Sequence, residues 1–89
     1  MNNISSSTPL PYSVDSWTKS CWTTASRYYI AEVTQDLFGT WLLRRSWGGL
    51  GSRRGSSMTI PAENYEEALS LLDDTAKRRL KRGYVRVSL

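Results

Sequence analysis

The chain has no histidine and a single cysteine, Cys21, among its 89 residues. Without histidine, the usual zinc-ligand sets and the Ser/His or Cys/His nucleophilic pairs are essentially excluded. One cysteine rules out an internal disulfide and favours a cytosolic compartment, with the thiol expected to be buried. No apolar run is long enough to span a bilayer. Residues 1–16 lack the basic and apolar regions of a secretory signal. A cytoplasmic location is expected, with no metal, no cofactor, no membrane and no small-molecule substrate. Acidic residues are also outnumbered, 8 against 12 basic. Glu66, Glu67, Asp73 and Asp74 fall where a helix is expected and read as solvated face charges, while Asp36 belongs to a turn. None forms the spaced carboxylate pair that acid–base chemistry needs, so no enzyme is expected.

Eighty-nine residues make one small domain. Such a chain buries roughly two-thirds or less of its unfolded surface, so its core is small. Four Trp and five Tyr supply large anchors for that core. A formal charge of +4 and a pI near 9.6 suggest an anionic partner. The composition shifts once along the chain. Residues 1–16 are rich in Ser, Asn and Pro, with little to bury, and are expected to be a disordered tail. Residues 17–89 are expected to form a single domain.

Residues 17–24 are ambiguous: Trp17, Cys21 and Trp22 could cover one side of the domain, or Trp22 could begin a strand. Tyr28-Tyr29-Ile30-Ala31-Glu32-Val33 then reads as a strand. A turn at Gln35-Asp36-Leu37-Phe38-Gly39, carrying two apolar residues, leads to a second strand from Thr40 to Trp47. In it Trp41, Leu43, Arg45 and Trp47 share one face, and Leu42 and Arg44 the other. The two strands fit an antiparallel pair. A long basic loop follows from Gly48 to Gly55. Ser56-Ser57-Met58-Thr59-Ile60 can return as a third strand, ended by Pro61. Asn64 is placed to N-cap a helix, with Glu67 completing a capping-box-like pair. Tyr65, Ala68, Leu69, Leu72, Ala76 and Leu80 recur at spacings of three and four, giving one apolar stripe. Gly83 stops the helix, and Tyr84-Val85-Arg86-Val87 alternates as a short final strand. Tyr28, Ile30, Trp41, Leu43, Leu69, Leu72, Ala76 and Leu80 are the expected core.

Two features carry a functional reading, each beside a structural one. In Trp47-Gly48-Gly49-Leu50-Gly51, an aromatic side chain precedes bare backbone, and Arg44, Arg45, Arg53 and Arg54 flank it. Glycine permits close approach, and guanidinium matches phosphate geometry. That combination suits a nucleic-acid contact; it equally suits a Gly-rich hairpin turn with a core Trp. The second feature is charge polarity. Five carboxylates lie between Glu63 and Asp74, whereas six basic and no acidic residues lie from Thr75 to Leu89. Both clusters match the helix dipole. The basic end also suits a surface that tracks phosphate, and Arg53, Arg54, Arg82 and Arg86 would form an anion site if folded to one side.

These landmarks, in order, resemble the WGR domain, a family named for a Trp-Gly-Arg motif. They are Arg27-Tyr28-Tyr29, Asp36-Leu37-Phe38-Gly39-Thr40-Trp41, Arg45-Ser46-Trp47-Gly48, Leu50-Gly51 with Gly55, Tyr65-Glu66-Glu67-Ala68, and Lys81-Arg82-Gly83-Tyr84. They span residues 27–87, about two-thirds of the chain. The likeness is greatest to short standalone bacterial versions. The family also includes the WGR domain of DNA-dependent poly(ADP-ribose) polymerases. The resemblance implies an α+β fold, a small antiparallel β-sheet of about four strands with one helix from the C-terminal half packed across it. It also implies that Trp47 packs against sugar-phosphate near a DNA end. The motif Arg, which in the polymerases supports contacts to DNA and to neighbouring domains, is replaced here by Gly49. Its loss removes charge-assisted hydrogen bonds worth about 1.5–3 kcal/mol each. Arg45, Arg53 and Arg54 are the nearby substitutes.

The resulting expectation is a non-catalytic nucleic-acid-binding module that contacts DNA, at ends or nicks, without strong sequence specificity. Its expected contact residues are Trp47, Gly48, Arg45, Arg53, Arg54, Lys81, Arg82, Tyr84 and Arg86. The alternative is a protein-interaction or structural WGR module that has lost DNA binding, with another protein domain as partner.

Overall fold

In the computed structural model, which describes residues 13–88, the alternating segments form Thr18–Thr23 (β1), Arg27–Gln35 (β2), Trp41–Gly49 (β3) and Gly55–Pro61 (β4). The helix Tyr65–Lys81 (α1) and the short strand Val85–Val87 (β5) follow. One five-stranded antiparallel sheet results, in the order β4-β3-β2-β1-β5. This is the expected α+β architecture with one strand more. The ambiguous residues 17–24 supply it: β1 lies between β2 and β5 and, among the described residues, is the one strand that β5 pairs with. Residues 1–12 of the expected tail lie outside the described residues. Val14–Ser16 make a single 3₁₀ turn, and the Ser13 N–H donates to Gln35 Oε1 at 2.8 Å.

Strand register assigns every side chain to a face. Trp22, Tyr29 and Trp47 are opposite one another across β1, β2 and β3. Ala31 and Val33 follow on the same face of β2, with Leu43 paired to Val33. α1 packs across this face. Trp22, Val33 and Leu43 are all but fully buried there, each contributing about 1.5–3 kcal/mol by leaving water.

Tyr28 and Ile30, expected in the core, instead point to the opposite face and are only half-buried. The run from Tyr28 to Val33 is apolar in both phases of the alternation, so the pattern alone does not choose. The register with Leu43 and Trp47 does. The helix stripe is also rotated: Ala68 and Thr75 are buried and Leu71, Leu72 and Ala76 half-buried. Leu69 and Leu80, also expected in the core, are exposed, Leu80 at 63%. Cys21 is buried, as its chemistry suggested.

The helix ends follow their local chemistry. Asn64 Oδ1 accepts from the Glu67 N–H at 2.8 Å, and Glu67 Oε1 accepts from the Glu63 N–H at 2.9 Å. At the other end Gly83, at φ +84°, takes the left-handed conformation that a Cβ would strain. Its N–H bonds to Leu80 O, and the Tyr84 N–H to Arg79 O. This Schellman closure reverses the chain into β5 and fixes Tyr84 beneath the helix end.

The direction of α1 gives the molecule two distinct ends. The Ala62 N–H donates to Trp41 O at 2.8 Å, and the Trp41 and Tyr65 rings lie 4.7 Å apart. The acidic helix start therefore sits by the β2–β3 turn. The basic helix end lies over Tyr29, at the far end of the same strands.

Candidate nucleic-acid interface

At the far end the helix stops short and leaves part of the aromatic row open. Tyr29 and Trp47 stack nearly parallel, with ring centroids 5.7 Å apart and planes at 12°. Trp22 and Tyr84 approach Tyr29 edge-on at 6.3 and 6.2 Å. The Arg79 guanidinium lies 4.1 Å from the centre of the Tyr29 ring and 5.0 Å from that of Tyr84. Cation–π contacts of this kind hold a guanidinium in place without neutralising it.

Around this platform is an open cleft of about 660 Å³. Its lining includes Arg27, Arg45, Arg79 and Arg82 with Tyr29, Trp47 and Tyr84, and no acidic side chain. Arg45 and Arg79 carry buried Nε atoms without a hydrogen-bond partner. The Arg45 Nη2 donates to a poor acceptor, Met58 Sδ, at 2.8 Å. A buried donor left unpaired costs about 1–3 kcal/mol. The helix C-terminus contributes a negative dipole end equivalent to roughly half a unit charge. Four guanidiniums outweigh it, so the cleft attracts anions. Among the described residues the ion pair is Lys77–Asp73 at 3.1 Å, on an exposed helix face. There the hydrogen bond to Asp73, with its charge, raises the Lys77 pKa. That pair does not neutralise the cleft. Among the described residues no three His, Cys, Asp or Glu side chains come together as a metal site, and no helix is long and apolar enough to cross a membrane.

Of the residues expected at an interface, Arg45, Trp47, Arg82 and Tyr84 meet in this cleft. Tyr84 is 9% exposed, so most of its ring packs beneath Arg79 and against Tyr29. Gly48 is buried on the other face of the sheet. A Cβ there would come within 3.0 Å of the Tyr28 ring and hydroxyl, and one at Gly55 within 2.7 Å of the hydroxyl. Those two glycines are bare to admit Tyr28. Arg53 and Arg54 are exposed on the β3–β4 loop, and Lys81 is exposed on α1; none lines the cleft. Arg86 pairs with Trp22 across the sheet and donates to Ser20 Oγ at 3.2 Å, beside a separate surface hollow that includes Lys19.

Sequence reasoning missed Arg27, Tyr29 and Arg79 as a group. The signals were present. Arg79 falls in phase with Leu72, Thr75 and Ala76, placing a cation on the inward helix row. Arg27 is two residues before Tyr29 and so shares its face. It also pairs directly across from Gly49.

The chain is thus a small α+β domain with an open cleft lined by arginines and aromatic rings and by no acidic side chain. Residues 18–88 match the WGR domain model, and the chain belongs to that family. It is also similar to an uncharacterized protein, y4dW, of Sinorhizobium fredii (strain NBRC 101917 / NGR234), with 36% identity over 59 residues. That match covers 66% of this chain and 28% of the relative, so the chain spans well under a third of the relative's length. No solved structure matches the chain.

Proposed function

We propose that the protein is a non-catalytic nucleic-acid-binding module that grips DNA sugar-phosphate in the Arg27–Arg45–Arg79–Arg82 cleft. The observation that carries this reading is the gathering of Arg27, Arg45, Arg79 and Arg82 in one open cleft that no acidic side chain lines. They sit beside the stacked Tyr29 and Trp47 rings. A phosphate accepts from the guanidiniums that line the cleft, and the exposed part of Trp47 offers a flat surface for a sugar. Family membership supports the same reading. Phosphate contacts position a protein without reading sequence. Binding is therefore salt-dependent and largely sequence-independent, with dissociation constants of about 10⁻⁴–10⁻⁶ M at physiological salt. Arg53, Arg54 and Lys81 act from the rim as additional charge, and Arg86 contributes only to the wider field.

Anisotropy of two labelled duplexes of unrelated sequence, at low and physiological salt, tests this. Equal affinities with a steep salt dependence support it. Binding that is absent at low salt refutes it and leaves the second reading, a WGR domain that docks on protein. Gly49 favours that reading, because the motif guanidinium is missing.

A further inference from the structure

The end of the molecule away from the cleft has its own surface. Leu37 is 91% exposed and Phe38 76%. The chain's one phenylalanine therefore lies outside the core. The turn that carries the pair is firmly built. Asp36 Oδ1 accepts from the N–H groups of Phe38 and Thr40 at 2.8 and 3.0 Å. The Asp36 N–H donates to Thr40 O, and the Gly39 N–H to Asp36 O, each at 3.0 Å. Gly39 takes φ +83°, and its carbonyl accepts from Gln35 Nε2 at 2.9 Å. None of these bonds needs an apolar side chain at 37 or 38. These bonds pin the turn's backbone while it holds two large apolar side chains out in water.

Charge narrows what covers them. Among the described residues, the segments at this end, residues 13–17, 36–40 and 63–67, carry Asp15, Asp36, Glu63, Glu66 and Glu67 and no Lys or Arg. An apolar wedge that enters DNA needs cations beside it for the phosphates. A tip that enters an anionic membrane surface needs the same. Here both would meet repulsion. A protein surface has no such requirement. A turn whose backbone is already pinned also loses little backbone entropy on docking.

We infer that the Leu37–Phe38 turn is a docking knob for a protein partner that presents an apolar socket with a basic rim. It stands apart from the nucleic-acid cleft and does not depend on that reading. The domain would then hold two partners at opposite ends of β2 and β3.

The test places photoreactive benzoylphenylalanine at position 37, or at exposed Leu50 as control, in protein at native abundance in its own cells. The partner captured at 37 is then purified and titrated against wild type and Phe38→Ser. The expected result is a protein adduct specific to position 37. Its affinity for the pure protein weakens about tenfold or more in Phe38→Ser and also declines as salt rises. Phe38→Ser keeps its thermal midpoint, because the side chain is outside the core. Four results overturn the inference: no adduct beyond the Leu50 control, an adduct only to a second copy of the chain, an adduct to nucleic acid or lipid, or a captured protein that binds Phe38→Ser as tightly as wild type.

Discussion

Arg79→Met separates binding from folding. The substitution keeps an unbranched stem and a polarisable sulfur over Tyr29, and removes the charge and the buried Nε. On the folding side, two effects oppose. The guanidinium lies 4.1 and 5.0 Å from two ring centres, each contact worth about 0.5–1 kcal/mol when partly exposed. Its unpaired Nε carries a penalty of about 1–3 kcal/mol, which methionine relieves. Stability should therefore fall by no more than about 1 kcal/mol or rise by no more than about 2 kcal/mol, the limits set by the difference of those terms. On the binding side nothing compensates. A lost charge-assisted hydrogen bond of about 1.5–3 kcal/mol weakens binding tenfold to 150-fold. The salt slope of the binding constant falls by about 0.9. Urea denaturation followed by tryptophan fluorescence and salt-dependent anisotropy with a labelled duplex measure the two sides. Unchanged DNA affinity would refute the assignment of Arg79 to the interface. A loss of stability above about 3 kcal/mol, the mark of a broken core, would make Arg79 a structural residue.

Replacing both Arg53 and Arg54 with Ala should weaken DNA binding and lower the salt slope by about two units; an unchanged slope removes the loop from the interface. Gly49→Arg should fold normally, since a Cβ there meets nothing closer than Ser52 Cβ at 3.7 Å. It should raise the slope by about one unit by adding a guanidinium across from Arg27, and anisotropy again reads it. Gly55→Ala drives a Cβ to 2.7 Å from the Tyr28 hydroxyl and 3.0 Å from Trp47 O, costing about 1–3 kcal/mol of stability. Tyr28→Phe in the same chain should recover part of that loss, and a denaturant double-mutant cycle checks it. Asn64→Ala removes the 2.8 Å cap on Glu67 and should lower stability by about 0.5–2 kcal/mol, measurable by thermal denaturation.

Local chemistry made several elements legible before the fold. The Asn64 cap, the Gly83 stop and the Trp41–Leu43–Arg45–Trp47 face each depend on near neighbours, and each stands where the pattern put it. The phase of β2 was not legible, because Tyr28 and Ile30 compete with Tyr29 and Ala31 for the inward face and only pairing with β3 decides. β1 was missed as a certain strand for a related reason. Ser20, Cys21 and Trp22 are all buried, so no polar alternation marks the segment. The cleft was half-legible. Trp47 and Arg45 announce themselves beside the Gly-rich turn. Arg79 gathers with them only because the helix ends over Tyr29, a contact spanning 50 positions in sequence.

The central claim is that the Arg-lined aromatic cleft is the surface that meets DNA. The most direct measurement is an NMR titration with a 5′-phosphorylated blunt duplex at low and physiological salt, following the tryptophan indole and arginine Nε–H signals. The account expects shifts confined to Trp47, Arg27, Arg45, Arg79 and Arg82 and to the rim arginines Arg53 and Arg54, fading as salt rises, with the Trp41 indole and the Leu37–Phe38 turn unmoved. Absent shifts at low salt, or shifts centred on the far end or the other sheet face, would contradict it.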